Sequence, residues 1–440
     1  MGAIVVGHPT EFESPAGESD HVDVAGPADG FGLPLGERAQ GGGQRVVDVG
    51  HEANGSVGPV TDRLSAAFDA WLDAQRCALD TMVNATGVPG TELDTAEGYR
   101  WVTRLSTLAL EWLVEKADPL HPQLFVLQDE YRKLLVDNPD VHYLFCVLDD
   151  RRAYRLRGWR GECAYLGMTF GTAFGQGAAA AGNTGTQTQC HIDEFELGPD
   201  GEVDILIAPA DLMPEPRPRN SVLMEPGTAQ LAIRETHFER TPERLSRLRM
   251  ELVGQLEIPP PLLSADELAG QLEFAALFLQ FVGGTAVSMW HDTAGTINTF
   301  GGTAGSVHVE SQEDEVRSHS NAEMTYHGGR FVLDPGQALV VTVHEPDRDF
   351  LYWGLTLASP WMESFDYRYT TTALNNRTAR RADDGSWRMV IAPDNPGPGV
   401  GNWLDTGGRL EGYMLVRWVL ADGPPHPTCE LVSLADLAQA

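Results

Sequence analysis

From Val141 onward the apolar residues of this 440-residue chain fall in short continuous or alternating runs separated by turn residues. No other feature constrains the fold as strongly. The runs are Val141–Leu148, Arg152–Arg157, Cys163–Phe170, His191–Leu197, Val203–Ala208 and Thr228–His237. Phe331–Leu333, Ala338–His344, Leu351–Ala358, Trp387–Ala392 and Tyr413–Leu420 follow. A period of two puts alternate side chains on one buried face, the pattern of strands. Asp149-Asp150 and Gly158–Gly161 punctuate the first three runs, which read as an antiparallel meander, and Gly198–Gly201 reads as a hairpin between the next two. Helices do not alternate with these strands, so a doubly wound parallel sheet is not expected. The expected fold is mainly β with a helical N-terminal segment and an antiparallel β-sandwich or jelly-roll-like C-terminal domain.

Helical spacing appears first near Thr61, with Leu64, Phe68, Trp71, Leu72 and Leu79 in register. Asp94 with Glu97 resembles a capping box for a second helix through Trp101, Leu105, Leu108 and Trp112, ending before Pro119. A third helix is predicted over Leu124–Leu135. Thr241 followed by Pro242 predicts a helix over Glu243–Val253, and Ser264 with Glu267 opens an apolar helix running to about Val282. Trp290–His327 has no period and reads as a long polar loop. The expected organisation is a flexible, acidic Gly/Pro-rich arm (1–55), a helical segment (56–136), a β-rich body with inserted helices and the long loop (137–329), and a C-terminal β domain (330–430).

Charge narrows the partners. Acidic residues number 63 against 31 Lys and Arg, a formal net charge of -32. Such a chain repels phosphate backbones and anionic bilayers, so neither nucleic acid nor a membrane is an expected partner. The arginines of 151–160 and 240–249 read as solvated faces balanced by acidic neighbours. No apolar run of about eighteen residues predicts a membrane span, and the acidic start is not a secretory leader. The five cysteines lack CxxC spacing, which fits a reducing, cytoplasmic compartment. Lys116 and Lys133 are the sole lysines, which leaves a Schiff-base lysine two candidates, so covalent amine catalysis is not expected. Nucleotide, serine-hydrolase and zincin motifs are absent, so no organic cofactor is expected, and metal dependence stays open. The expected partners are a small-molecule ligand and, through the arm, a second copy of the chain.

Several motifs in one order carry a resemblance. They are Tyr352-Trp353-Gly354-Leu355, Trp361-Met362-Glu363-Ser364-Phe365-Asp366-Tyr367-Arg368, Leu374-Asn375, the run from Pro398 to Gly408 containing Asn402-Trp403-Leu404-Asp405, and Arg417-Trp418. Upstream, Asp137-Asn138-Pro139-Asp140, Tyr154-Arg155 and Gly161 through Tyr165 add to it. In these the chain resembles bacterial proteins containing the domain of unknown function 1214, most closely over 330–425 and more weakly from about 95. The resemblance implies a mainly β, jelly-roll-like fold and supplies no activity. Where that family often has His after the Gly pair, this chain has Arg409.

Four constellations are candidates for chemistry. In a strand, Glu235 and His237 share one face and Arg234 the other, which suits a proton-transferring pair with an anion clamp. An exposed charged edge is the alternative. Asn402, Trp403 and Asp405 combine an aromatic face with directional polar groups suited to a hydroxylated ring. A structural corner, with Asp405 capping backbone amides, is the alternative. Trp353, among Tyr352, Trp361, Tyr367 and Tyr369, lines either a core or a ligand cleft, and Arg409 joins the ligand-binding candidates. Asp366 and Arg368 read as an ion pair. His291, His308 and Glu310 are the metal candidates, although no complete ligand set accompanies them. The expected function is a cofactor-independent hydrolase or lyase acting on a small hydroxylated or carbohydrate-like molecule. A noncatalytic ligand-binding module and an assembly protein using the arm are the other readings.

Overall fold

Alternate side chains of the strands enter two separate apolar cores, and this sorts the strands into two sandwiches. The computed structural model describes residues 59–84, 88, 90–172, 186–254, 259–260, 262–301 and 323–437. In the first sandwich lie β1 (Phe125–Gln128), β2 (Val141–Val147), β3 (Tyr154–Trp159), β4 (Tyr165–Thr172), β5 (Thr186–His191), β6 (Glu202–Ala208), β7 (Ser221–Leu223), β8 (Thr228–Thr236) and β9 (Arg247–Leu252). Its sheets have the orders β1-β2-β8-β4-β5 and β7-β6-β3-β9. The second sandwich holds β10 (Met324–Val332), β11 (Gln337–Val343), β12 (Tyr352–Ala358), β13 (Ala373–Asn375), β14 (Trp387–Ala392), β15 (Trp403–Asp405), β16 (Glu411–Val419) and β17 (Thr428–Ser433). Its sheets run β10-β16-β12-β13 and β15-β14-β11-β17. Pairing is antiparallel except for β6 with β7 and β14 with β15. The chain is mainly β with a helical N-terminal segment, as expected.

The faces explain the packing. On β2, Leu144 and Cys146 enter the first core with Leu156, Ile205 and Ile233, while Phe145 points the other way. On β16, Met414, Val416 and Trp418 enter the second core with Val341, Trp353 and Met389, while Tyr413 and Leu415 point outward. Helices cover both outward faces. They are α1 (Pro59–Cys77), α2 (Glu92–Leu110) and α3 (Ala265–Asp292), the first two ending in π-helical turns at Ala78–Val83 and Glu111–Glu115. Trp112 meets Phe145 edge-on at 4.3 Å, and Trp101 stacks on Trp361 at 5.4 Å. Gly98 allows that stack: a Cβ there would lie 2.8 Å from the Trp361 ring. The helices thus form a third apolar core against both sandwiches.

Several expectations are corrected. The first three runs are not a meander, because β2 and β4 both pair with β8 while β3 belongs to the opposite sheet. Leu124–Leu135 is not a helix. Phe125–Gln128 pairs with β2, and Asp129 then turns the chain by accepting from the amides of Tyr131 and Arg132 at 2.8 and 2.7 Å. Thr241-Pro242 starts only a 3-10 turn. Leu248, Met250 and Leu252 alternate into the first core, so that segment forms β9 rather than a helix. His191–Leu197 is the end of β5 followed by a 3-10 turn, and β5 pairs with β4 instead of forming a hairpin with β6. The α2 cap is Thr91 with Asp94, three residues earlier than the pair read from the sequence. Ser264 does cap α3, which continues past Val282 to Asp292. Ala265–Gly295 is long and apolar enough to cross a membrane by length and composition alone, and 44% of its most apolar window is buried inside the molecule. Residues 1–55, and His308, Glu310 and most of the long polar loop, lie outside the described residues.

Candidate functional site

Strained backbone marks where two segments are forced together. Leu135, Val136 and Met362 have φ values of 48, 57 and 57°. Bulky L-residues rarely adopt this region, at about 1–3 kcal/mol each, and hold it only where surrounding contacts over-determine it. Those contacts are present. The Val136 amide donates to the Met362 carbonyl at 2.6 Å. The Ser364 amide and hydroxyl donate to the Asp137 carboxylate at 2.9 and 2.7 Å. The 130–137 segment and the 359–368 loop are thereby clamped side by side beneath α2.

A cavity of about 160 Å³ opens at this clamp. An apolar cavity of about 150 Å³ takes one benzene ring, so this one suits a ligand of similar size. Its walls are charged: Arg100, Arg104, Lys133, Arg368 and Arg409 face it together with Glu97, Glu130, Glu363 and Asp366. Arg104 Nη1 donates to both oxygens of Glu363 at 2.8 Å. Glu97 accepts from Arg100 at 3.1 Å and from Arg409 at 2.6 Å. Arg368 grips Asp366 through two donors at 2.8 and 2.6 Å. Glu97 Oε2 and Arg409 Nε are left without a hydrogen-bond partner.

Burial sets the protonation. It pushes the Glu363 carboxyl up to about 7 against the pull of Arg104. It also pushes the Lys133 ammonium down, opposed by Asp137, Glu363 and Asp366. The Arg368 hydrogen bonds hold Asp366 down at about 2. A carboxyl titrating near neutrality beside fixed cations can give or take a proton, while guanidinium groups orient an anion.

Of the catalytic, ligand-binding and metal candidates named from the sequence, Arg409 alone reaches this cavity, where it joins the Asp366–Arg368 ion pair. Glu235 and His237 do share a face, with Oε2 and Nε2 3.5 Å apart, but both are buried at the end of the first sandwich. Glu235 accepts from the Ser246 amide and hydroxyl at 2.9 and 2.5 Å. Burial would raise its carboxyl, yet His237 and Ser246 outweigh it and hold the group below its ordinary value. Arg234, half-buried, donates to Thr169 Oγ1 at 3.3 Å. Trp353 is wholly inside the second core, against Trp387 and Trp418. Asn402 spends its amide on the backbone of Arg380 and Arg388. Trp403 donates to the Ala392 carbonyl at 3.1 Å, and Asp405 accepts from the Gly407 amide at 2.7 Å. These three form a backbone-binding corner remote in role from the cavity. His291 is exposed at the end of α3, and among the described residues no group of three or more His, Cys, Asp or Glu could hold a metal.

The motif Asp137-Asn138-Pro139-Asp140 has another use. Tyr352 donates to Asp140 at 2.8 Å, and Asn375 donates both to Asp140 at 2.9 Å and to the Phe238 carbonyl at 2.8 Å. Asn138 donates to the Tyr352 hydroxyl at 3.0 Å, and Arg417 donates to Thr356 at 3.2 Å and to the Val136 carbonyl. This buried network stitches one sandwich to the other. The residues missed include Arg104, Lys133 and Glu363. The last two had a signal: Lys133 is one of two lysines, and Glu363 lies inside a quoted motif. Neither signal marks a site until burial and neighbours are known.

No protein-family model matches the chain, and no curated protein matches it. Solved structures do. An uncharacterised protein from Burkholderia cenocepacia is 30% identical, with a TM-score of 0.76 over 86% of this chain and 99% of its own. A protein from Vibrio parahaemolyticus is 13% identical, with a TM-score of 0.45 over 84% of this chain and 100% of its own.

Proposed function

Because this chain belongs to one family with the uncharacterised Burkholderia cenocepacia protein, no activity is inherited, and we propose one from the cavity itself: a cofactor-independent lyase or hydrolase acting on a small, hydroxylated, anionic molecule. The observation that carries the reading is Glu363, a buried carboxyl pushed up to about 7, held by Arg104 on the wall of a ring-sized charged cavity. Arg104 and Arg409 orient the anionic end of the ligand, and Glu363 transfers the proton. The resemblance to the domain of unknown function 1214 supports the choice of wall, since the Trp361–Arg368 motif supplies Glu363, Asp366 and Arg368. Glu235 and His237 then serve the fold rather than the reaction.

The test is a thermal-shift screen of small hydroxy acids and sugar acids, followed by turnover assays on any that raise Tm. Ligands should lose their effect in the Arg104→Ala/Arg409→Ala variant. Turnover should fall at least about a hundredfold in Glu363→Gln, the ordinary scale of general acid–base catalysis. A ligand that stabilises both variants equally well would place the site elsewhere.

A further inference from the structure

We propose that Lys133 is a nucleophilic amine that forms a covalent imine with a small substrate carrying both an aldehyde or ketone and an acid group. This rests on the cavity being the site. Lys133 is 4% exposed and lines the cavity. Its Nζ donates to the Ser364 and Phe365 carbonyls at 2.7 and 2.9 Å. A neutral amine has two N–H donors and one lone pair. Two carbonyls occupy both donors and leave the lone pair for a carbonyl carbon. Among the described residues Lys133 makes no ion pair with a carboxylate, whereas the other lysine, Lys116, pairs with Glu111 at 2.6 Å.

The surroundings pull both ways. Asp137, Glu363 and Asp366 favour the ammonium, as does the Tyr367 ring 4.6 Å from Nζ, while Arg104 and burial oppose it. Burial is the largest of these and prevails. A desolvated lysine beside another cation is the form in which amines act as nucleophiles.

The step balances with Glu363 as proton carrier. The Nζ lone pair attacks the carbonyl carbon, and the carbonyl oxygen takes a proton from the Glu363 carboxyl. The carbinolamine nitrogen gives a proton back to Glu363. The hydroxyl is then protonated and leaves as water as the second N–H is lost and the C=N bond closes. Amine and carbonyl compound become imine and water, with no oxidant or further reactant.

Glyoxylate is small enough to enter and carries both groups, and cyanoborohydride reduces its imine to carboxymethyl-lysine. The full chain is treated at pH 7 and both lysines are quantified by peptide mass spectrometry, with Lys116 as the internal control. Lys133 should be alkylated at least about ten times faster than Lys116, because its amine is desolvated and donates only to carbonyls while Lys116 is held in an ion pair with Glu111. The folded Lys133→Arg variant should show only the Lys116 background, and Glu363→Gln should slow labelling of Lys133. Equal or faster alkylation of Lys116 overturns the inference. Glycolate, which cannot form an imine, separates the two readings. If it raises Tm in the native chain but not in Arg104→Ala/Arg409→Ala, and Lys133 stays unlabelled, the cavity reading survives and the amine falls. If it leaves Tm unmoved and Lys133 stays unlabelled, both fall.

Discussion

Two buried carboxyls, one in each half of the molecule, behave in opposite ways. Glu235, at the end of the first sandwich, is closed in by Ser246 and His237 and stays below its ordinary value. Glu363, on the wall between the helices and the second sandwich, has one arginine as its hydrogen-bonded charge partner, and burial raises it to about 7. The first carboxyl accepts from two Ser246 donors, faces the His237 ring and is wholly buried. The second is under-compensated and borders open space. Burial alone therefore does not identify a site. A site needs a charge whose compensation is incomplete, next to a volume that a ligand can fill.

The contrast can be broken most decisively by removing Glu235. Glu235→Ala strands the Ser246 amide and leaves His237 buried without its carboxylate, so it should cost about 3–5 kcal/mol in urea unfolding. A loss below about 1 kcal/mol would mean the cluster is not structural. Gly98→Ala keeps every charge but drives a methyl into the Trp361 ring. It should cost about 1–3 kcal/mol by overpacking, although alanine normally favours a helix, and should weaken any ligand of the cavity whose roof α2 forms. Trp403→Phe removes one hydrogen bond to the Ala392 carbonyl. It should cost about 0.5–1.5 kcal/mol and leave ligand binding unchanged, since that corner holds backbone. Glu363→Gln should change stability least at acid pH and sharpen the comparison through its pH profile. A carboxyl raised from 4.5 to about 7 on folding stabilises the protein while protonated. That contribution is complete below pH 4.5 and is lost as pH rises to about 7. The variant should flatten this decline, read as urea midpoints across the window, and an unchanged slope would remove Glu363 as its source.

Legibility followed the range of the interactions. Alternating runs at β2, β6, β8 and β14 marked strands because side-chain direction along a strand is a local property. The Ser264 cap marked the start of α3 for the same reason. The segment at Arg247–Leu252 carried both signals, a cap ahead of it and a period of two within it. The sheet prevailed because β3 and the first core offered that face more burial than an isolated helical turn could. The Glu235–His237 pairing was also readable, since two residues two apart on a strand share a face. Its isolation from any ligand was not, because the lid comes from Ser246 on another element.

What the amino-acid order determined by itself was the strand-rich character, the main helix starts, the strongly acidic balance and the inventory of scarce residues such as Lys133. Which strands became neighbours, and where space was left among charges, only the folded chain decided. Arg104 meets Glu363 across 259 positions, and Arg409 meets Glu97 across 312. The acidity of a carboxyl or an amine depends on the solvent and charges around it, and those neighbours are assembled only when such distant segments close on one another.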